Sequence, residues 1–305
     1  MNNSRTSHIL SFHNKVHSNG QVLDDYLLND CNLLDSINSQ QDFSKPLNIK
    51  NTDRCVGARI SGIIAKKYGQ KNFKANLQFN FQGTAGQSFG AFICNGMHLN
   101  LTGEANDYVG KGMNGGEIII ASYPENKRHA SEYVIIGNTC LYGATGGYLF
   151  VNGQAGERFA VRNSAANAVV EGVGDHACEY MTGGIVIVLG KSGRNIGAGM
   201  TGGLAYFLDE SNDLFSKINS EIIHLQRLVT KEAEEQLLST IELYEIKTKS
   251  IKARQVLNNW KYYLPMFWQV IPPSEKKTSL TDIEYSSYTS IIPVSYTHLT
   301  LPTKA

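Results

Sequence analysis

GKGMNGGEIII at residues 110–120 returns as GAGMTGGLAYF at 197–207. Between them the tail of the phrase recurs as ATGGYLFV (144–151) and MTGGIVIV (181–188). In every copy a glycine pair runs straight into a short apolar, strand-like run, which predicts a stacked repeat. The pairs begin at 115, 146, 183 and 202, so they are spaced 31, 37 and 19 residues apart. Nineteen reads as one unit and 37 as nearly two. The polar loop YPENKRHASE (123–132) enlarges the remaining interval. A unit of about 19 residues matches one coil of a β-solenoid, and the stretch 73–209 is expected to hold roughly seven coils.

The glycine content follows from that geometry. A coil turns corners within a few residues, and turns with positive φ favour glycine because it lacks Cβ. Stacking brings backbone within about 4.8 Å of backbone, so corners admit little side-chain bulk. Ile, Val, Leu and Phe of the runs fill the interior. No coil can bury its apolar face alone.

On either side the period changes. Phe73, Ala75, Leu77, Phe79 and Phe81 alternate with polar residues, predicting a half-buried strand at the start of the repeat. Residues 1–72 lean helical, with one helix at roughly 21–39 and another at 55–68. Asp53 is the predicted cap of the second, Val56, Ile60, Ile63 and Ile64 its apolar face, and Gly69 its stop. Over 210–275 the helical period returns. Ile222, Leu225, Val229, Ala233, Leu237, Ile241 and Tyr244 predict a long helix from near Asn219, and a second covers 250–263 before Pro265. LPMFWQVIPPSE (264–275) reads as an irregular aromatic cap over the end of the solenoid, where open strand edges need cover. Residues 276–305 are Ser/Thr-rich and aperiodic, and are expected to be disordered.

Bulk properties exclude several classes. The 305 residues include 28 basic and 27 acidic side chains, so no basic field exists for nucleic acid or an anionic membrane. Cys31, Cys55, Cys94, Cys140 and Cys178 are scattered singly, which argues against a disulfide framework or zinc ribbon and suits a reducing compartment. No apolar run approaches the roughly 20 residues that span a bilayer, and the polar start is not a secretory signal.

Three motifs invite chemistry. GKGMNG and GAGMTG fit the GxGxxG dinucleotide fingerprint, but that site needs a helix after the glycines, and here a strand follows. GDHACEYM (174–181) gathers Asp175, His176, Cys178 and Glu179 at spacings wrong for a closed zinc site, so a surface loop with Cys178 as a small buried hydrophobe is the simpler reading. Glu157, Arg158, Arg162 and Arg194 offer paired guanidiniums for an anion or, more simply, ion pairs that anchor coil edges. No self-contained active site emerges, and no catalytic, cofactor-binding or metal-binding residue is assigned.

Long phrases of this chain, among them NTDRCVGARISGIIAKKYG, NFQGTAGQSFGAF, GNTCLYGATGGYLFVNGQAGERFAVRNS, GDHACEYMTGGIVIVLGKSGRNIGAGMTGGLAYFLDE and LPMFWQVIPPSE, resemble one family. They are similar to the C-terminal GXGXG domain of glutamate synthases, more to the ferredoxin-dependent form of cyanobacteria and plastids than to the NADPH-dependent one. The resemblance runs from about 17 to about 275. It implies a right-handed parallel β-helix, a single-stranded solenoid flanked by α-helices at both ends. It also implies a scaffold that is inactive alone, placing an amidotransferase domain and a flavin domain with FMN and an iron–sulfur cluster. Those parts, and ferredoxin as electron donor, are the implied partners. The implied compartment is plastid stroma or bacterial cytoplasm, and the chain reads as a piece of a longer polypeptide or as a separately encoded subunit. SYTHLTLPTKA (295–305) has no counterpart in the family and reads as non-native. Two rivals stand beside it: a free-standing β-helix subunit of the formylmethanofuran dehydrogenase kind, and a solenoid binding module.

Overall fold

Each apolar run pairs with the next copy of itself. The structure, a computed structural model, describes residues 20–69, 72–123, 130–276 and 278–281. Eight strands lie side by side in parallel: β1 (Phe43–Ile49), β2 (Leu77–Ala85), β3 (Met97–Ala105), β4 (Asn114–Ala121), β6 (Gly146–Asn152), β8 (Asn167–Val170), β9 (Thr182–Val188) and β10 (Gly202–Leu208). Two short strands, β5 (Val134–Ile136) and β7 (Gln154–Ala155), pair with each other, and β5 also pairs with β3. The facing residues Leu77↔Met97, His98↔Glu117, Glu117↔Tyr148, Tyr148↔Asn167, Asn167↔Ile185 and Ile185↔Leu204 are 20, 19, 31, 19, 18 and 19 positions apart. The interval of 37 is therefore two units, and β8 is the hidden one, with Ala165 and Ala166 where β4, β6, β9 and β10 carry a glycine pair. With β11 (His224–Arg227) and β12 (Phe267–Ile271), the described strands form one mixed, mostly parallel sheet of twelve, not closed into a barrel.

The turns carry a second repeat, and it corrects the expectation that corners are glycine. Ser88, Gly90 and Phe92 have φ of 64°, 69° and 59°. The same alternation recurs at Tyr108, Gly110 and Gly112; Thr139, Leu141 and Gly143; Arg158, Ala160 and Arg162; His176, Cys178 and Tyr180; Asn195, Gly197 and Gly199. Only six of these eighteen residues are glycine. Their amides bond in alternating directions along the stack: Tyr108 N–H donates to the Asn138 carbonyl, Gly110 N–H back to Phe89, and Gly112 N–H forward to Tyr142. A left-handed residue costs roughly 1–2 kcal/mol, and backbone pairing with both neighbouring turns holds it there. The glycine pairs themselves answer to close approach. A Cβ on Gly116 would lie 2.6 Å from the Met97 carbonyl oxygen, as the chain enters β4 against the preceding strand.

Alternation along the strands builds two apolar layers. Inward residues such as Leu77, Phe79, Leu99, Leu101, Ile118, Val151, Val170, Val188 and Phe207 share one core. On the outer face, Ile119, Phe150, Val169, Ile187, Leu204 and Tyr206 pack under α4 (Lys231–Thr248), α5 (Ile251–Asn258) and α6 (Trp260–Tyr263) through Leu237, Ile241, Tyr244 and Val256.

Several boundaries differ from the sequence reading. The first helix is two, α1 (Leu23–Leu28) and α2 (Cys31–Ser39). The next, α3, spans Ala58–Tyr68 and is capped across space, because Asp24 accepts from Gly57 N–H (2.7 Å) and Arg59 N–H (2.8 Å). Asp53 instead accepts from Lys50 N–H, within its own turn. The long helix begins at Lys231, with Thr230 accepting from Ala233 N–H. Leu225 lies on β11, and the period-3.6 spacing upstream of Thr230 was coincidence. Phe267–Ile271 is no irregular cap but a strand that runs antiparallel to β10 and covers its edge, with β11 beyond it. Of the segment expected to be disordered, residues 276 and 278–281 are described: Gln269 Nε2 donates to the Leu280 carbonyl at 3.0 Å. The remainder, including 295–305, lies outside the described residues.

Candidate functional site

Two polar clusters sit where the helical layer meets the outer face of the sheet. The first is built at the ends of neighbouring strands. Asn152 closes β6 and Glu171 follows β8, nineteen residues on, so the parallel register of Val151 with Val170 sets them side by side. Asn152 Nδ2 donates to Glu171 Oε1 at 2.9 Å. From the helices, the Ser250 hydroxyl, which also caps α5 by accepting from Ala253 N–H, donates to the same oxygen. The Tyr244 hydroxyl lies 2.9 Å from both Glu171 Oε1 and the Val151 carbonyl. That hydroxyl has one proton for two acceptors. Glu171 is 1% exposed, and burial pushes its pKa up, against the pull of its Ser250, Tyr244 and Asn152 bonds. Burial thus favours the neutral carboxyl at this position.

The second cluster crosses five elements. Asp42, just before β1, accepts from the Asn76 side chain at 3.2 Å. Asn76 Oδ1 lies 3.2 Å from His98 Nε2, and His98 Nδ1 lies 3.5 Å from Glu117 Oε1. Lys247, in the last turn of α4, donates to Glu117 at 2.9 Å. Burial works against ionising Glu117, but the His98 and Lys247 hydrogen bonds outweigh it and hold the carboxyl below its usual range. These groups border a cleft of about 690 Å³.

The residues singled out in the sequence serve the turns. Asp175 accepts from Arg194 N–H (2.7 Å) and its guanidinium (3.2 Å), tying one coil to the next. His176 Nδ1 meets Asn195 Nδ2 at 2.9 Å. Cys178 is wholly buried, its thiol pushed up to about 12 by burial. Glu179 shares only the loop with them. The arginines do not converge on an anion site: Arg162 lies over the Tyr180 ring at 5.9 Å, Arg194 pairs with Asp175, and Arg158, like Glu157, is exposed. Sequence reasoning missed Glu171 and Glu117, although each is a carboxylate abutting an apolar run, at 168–170 and 118–120.

An iron–sulfur cluster needs gathered thiolates. Here Cys140 and Cys178 are buried with pKa values near 12, Cys31 and Cys55 are exposed on separate segments, and no group of three His, Cys, Asp or Glu residues converges among the described residues. The donor set does not fit such a group.

A profile described as "GXGXG motif" matches residues 24–273, the whole of the sheet and its helical cover. The chain belongs to the GXGXG family. This GXGXG chain is 67% identical over 264 residues to the ferredoxin-dependent glutamate synthase of Antithamnion sp., a match covering 87% of the chain and 17% of the relative. It is 61% identical over 264 residues to ferredoxin-dependent glutamate synthase 2 of Synechocystis sp., with the same coverage of each. To the chloroplastic ferredoxin-dependent enzyme of Spinacia oleracea it is 52% identical over 276 residues, 90% of the chain and 17% of the relative. The chain thus spans about one sixth of the length of the curated relatives it matches.

Proposed function

We propose that this chain is the C-terminal scaffold domain of a ferredoxin-dependent glutamate synthase, acting in glutamate biosynthesis and ammonia assimilation. One observation carries the reading: 52–67% identity to such enzymes over 87–90% of the chain. The domain performs no chemistry itself. It fixes the placement of an amidotransferase domain, which releases ammonia from glutamine, and a flavin domain, which holds FMN and an iron–sulfur cluster and takes electrons from ferredoxin. The cysteines described above, buried or scattered, accord with a cluster held elsewhere.

Its frame is a right-handed β-helix of roughly seven coils over 73–209. The near-constant offsets of 18 to 20 residues and the turn amides that bond to both neighbours support this. Residues 210–275 cover its outer face and far edge, and 1–72 lead into it from the preceding region. Cyanobacterial and chloroplast relatives favour plastid stroma or bacterial cytoplasm, and no helix among the described residues is long and apolar enough to cross a membrane.

The test is a chimera in which residues 20–281 replace the matching segment of the Antithamnion enzyme. With glutamine, 2-oxoglutarate and reduced ferredoxin, the chimera is expected to form glutamate at a rate comparable to its parent, and the chain alone none. A folded but inactive chimera, or glutamate from the chain alone, sinks the reading.

A further inference from the structure

The outer face of the parallel sheet changes character at β4. From β4 to β10 it is apolar and lies under α4–α6. From β1 to β3 it is polar, and the helical layer stops short of it: α4 ends at Thr248, beside Glu117. The uncovered part is ordered as rows of amides. Asn80 Oδ1 accepts from Gln78 Nε2 (3.0 Å) and from Asn100 Nδ2 (2.9 Å), and Asn80 Nδ2 reaches Ser44 Oγ at 3.4 Å. Asn100 Oδ1, on the floor of the cleft, is shielded from water and has no partner, a condition that costs about 1–3 kcal/mol. At the rim, Ile246 is 59% exposed and the Lys249 ammonium has no partner among the described residues.

We propose that this β1–β3 face, with the cleft at the end of α4, is the surface on which the rest of the longer polypeptide docks. The inference rests on the scaffold reading above. A scaffold that is one sixth of its relatives' length must present an interface to the other five sixths. Free-standing proteins leave few orphaned buried acceptors, whereas an interface combines an apolar anchor, a polar rim and amide rows ready to pair. Here the anchor is Ile246, and the rim carries charges of both signs, Asp42 and Lys249. The docking segment is therefore a polypeptide stretch whose main-chain amides pair with the exposed Gln78 and half-buried Asn80 side chains. It brings an apolar side chain to Ile246 and a carboxylate to Lys249.

Amine labelling of Lys249 and carboxyl labelling of Asp42, compared between the chain alone and the chimera, test this. Both are expected to label at least tenfold more slowly in the chimera. Gln78→Arg in the chimera is expected to restore labelling at Lys249, while the same substitution at this exposed position leaves the melting temperature of the chain alone unchanged. An active chimera in which both residues label as fast as in the chain alone overturns the docking face and leaves the scaffold reading standing. An inactive chimera counts against the scaffold reading itself. Protection in the chain alone that grows with its concentration assigns the face to a second copy, and protection there that gel filtration removes assigns it to a small solute. Either result overturns the proposal.

Discussion

Ala160, with φ of 59° and a completely buried side chain, stands where the turns two units away on either side place Gly110 and Gly197. Its backbone strain is local, so Ala160→Gly should stabilise the fold or leave it unchanged, within about 1 kcal/mol, as relief of strain offsets the looser unfolded chain. Gly203 is the reverse case. A Cβ there would lie 2.7 Å from the Gly184 carbonyl oxygen at a φ of 78°, so Gly203→Ala should cost roughly 2–4 kcal/mol by urea denaturation. Two carboxylates give opposite pH signatures. Glu171 has a raised folded pKa, so its contribution is fully present at low pH and is lost as pH rises through that folded value. Glu117 has a lowered one, so its contribution is present above the ordinary carboxylate range and is lost as pH falls. Melting curves should therefore show Glu171→Gln gaining on the wild type as pH rises, with Glu117→Gln losing ground over the same change. Parallel profiles for the two variants would refute the assignment of their ionisation states.

At the scale of elements, the strand most exposed to error is β10, whose far edge is closed by β12 instead of by another coil. Val270 faces Ala205 across that antiparallel seam and is wholly buried. Val270→Asp places an unpaired charge there and should unseat β12, exposing a parallel edge. Light scattering should then report aggregation well below the wild-type melting temperature. This seam also shows what the sequence could reveal. FWQVI was legible as a cover for an open end, but its strand character was not, since five residues flanked by prolines carry no period. The glycine pairs disclosed four of the coils. The unit with ERFAVRNS (157–164) stayed hidden because Ala165 and Ala166 stand in place of a glycine pair, and its three left-handed positions, Arg158, Ala160 and Arg162, offer no glycine either. What repeats there is backbone conformation, held by hydrogen bonds to the coils above and below, and residue identity does not record it. The helix start was misplaced for a related reason: Ile222, Leu225 and Val229 fit a 3.6 period, yet Leu225 pairs with Val270 on a strand. Of the polar clusters, Asn152 and Glu171 share a register that the 19-residue unit exposes. Tyr244 and Ser250 come from more than seventy residues downstream, and only the packing of α4 and α5 brings them in.

For the whole molecule, the sheet is assembled from interchangeable units joined mainly through backbone. Excising residues 77–96, one unit by the Leu77↔Met97 pairing, should therefore leave a cooperatively folding chain, whereas excising ten residues from the same region should not. Circular dichroism and calorimetry separate the two outcomes, and loss of the transition in both would show that the units are not interchangeable. Parallel strands stack at about 4.8 Å, so β1 and β10, seven intervals apart, are held about 34 Å from one another. The distance between whatever attaches at the two ends is consequently quantised. A connection can lengthen without altering it, as between β4 and β6, and only the gain or loss of an entire strand unit resets it, by one step of about 4.8 Å. A protein built this way behaves as a ruler graduated in strands, marked by the recurring left-handed backbone of its turns.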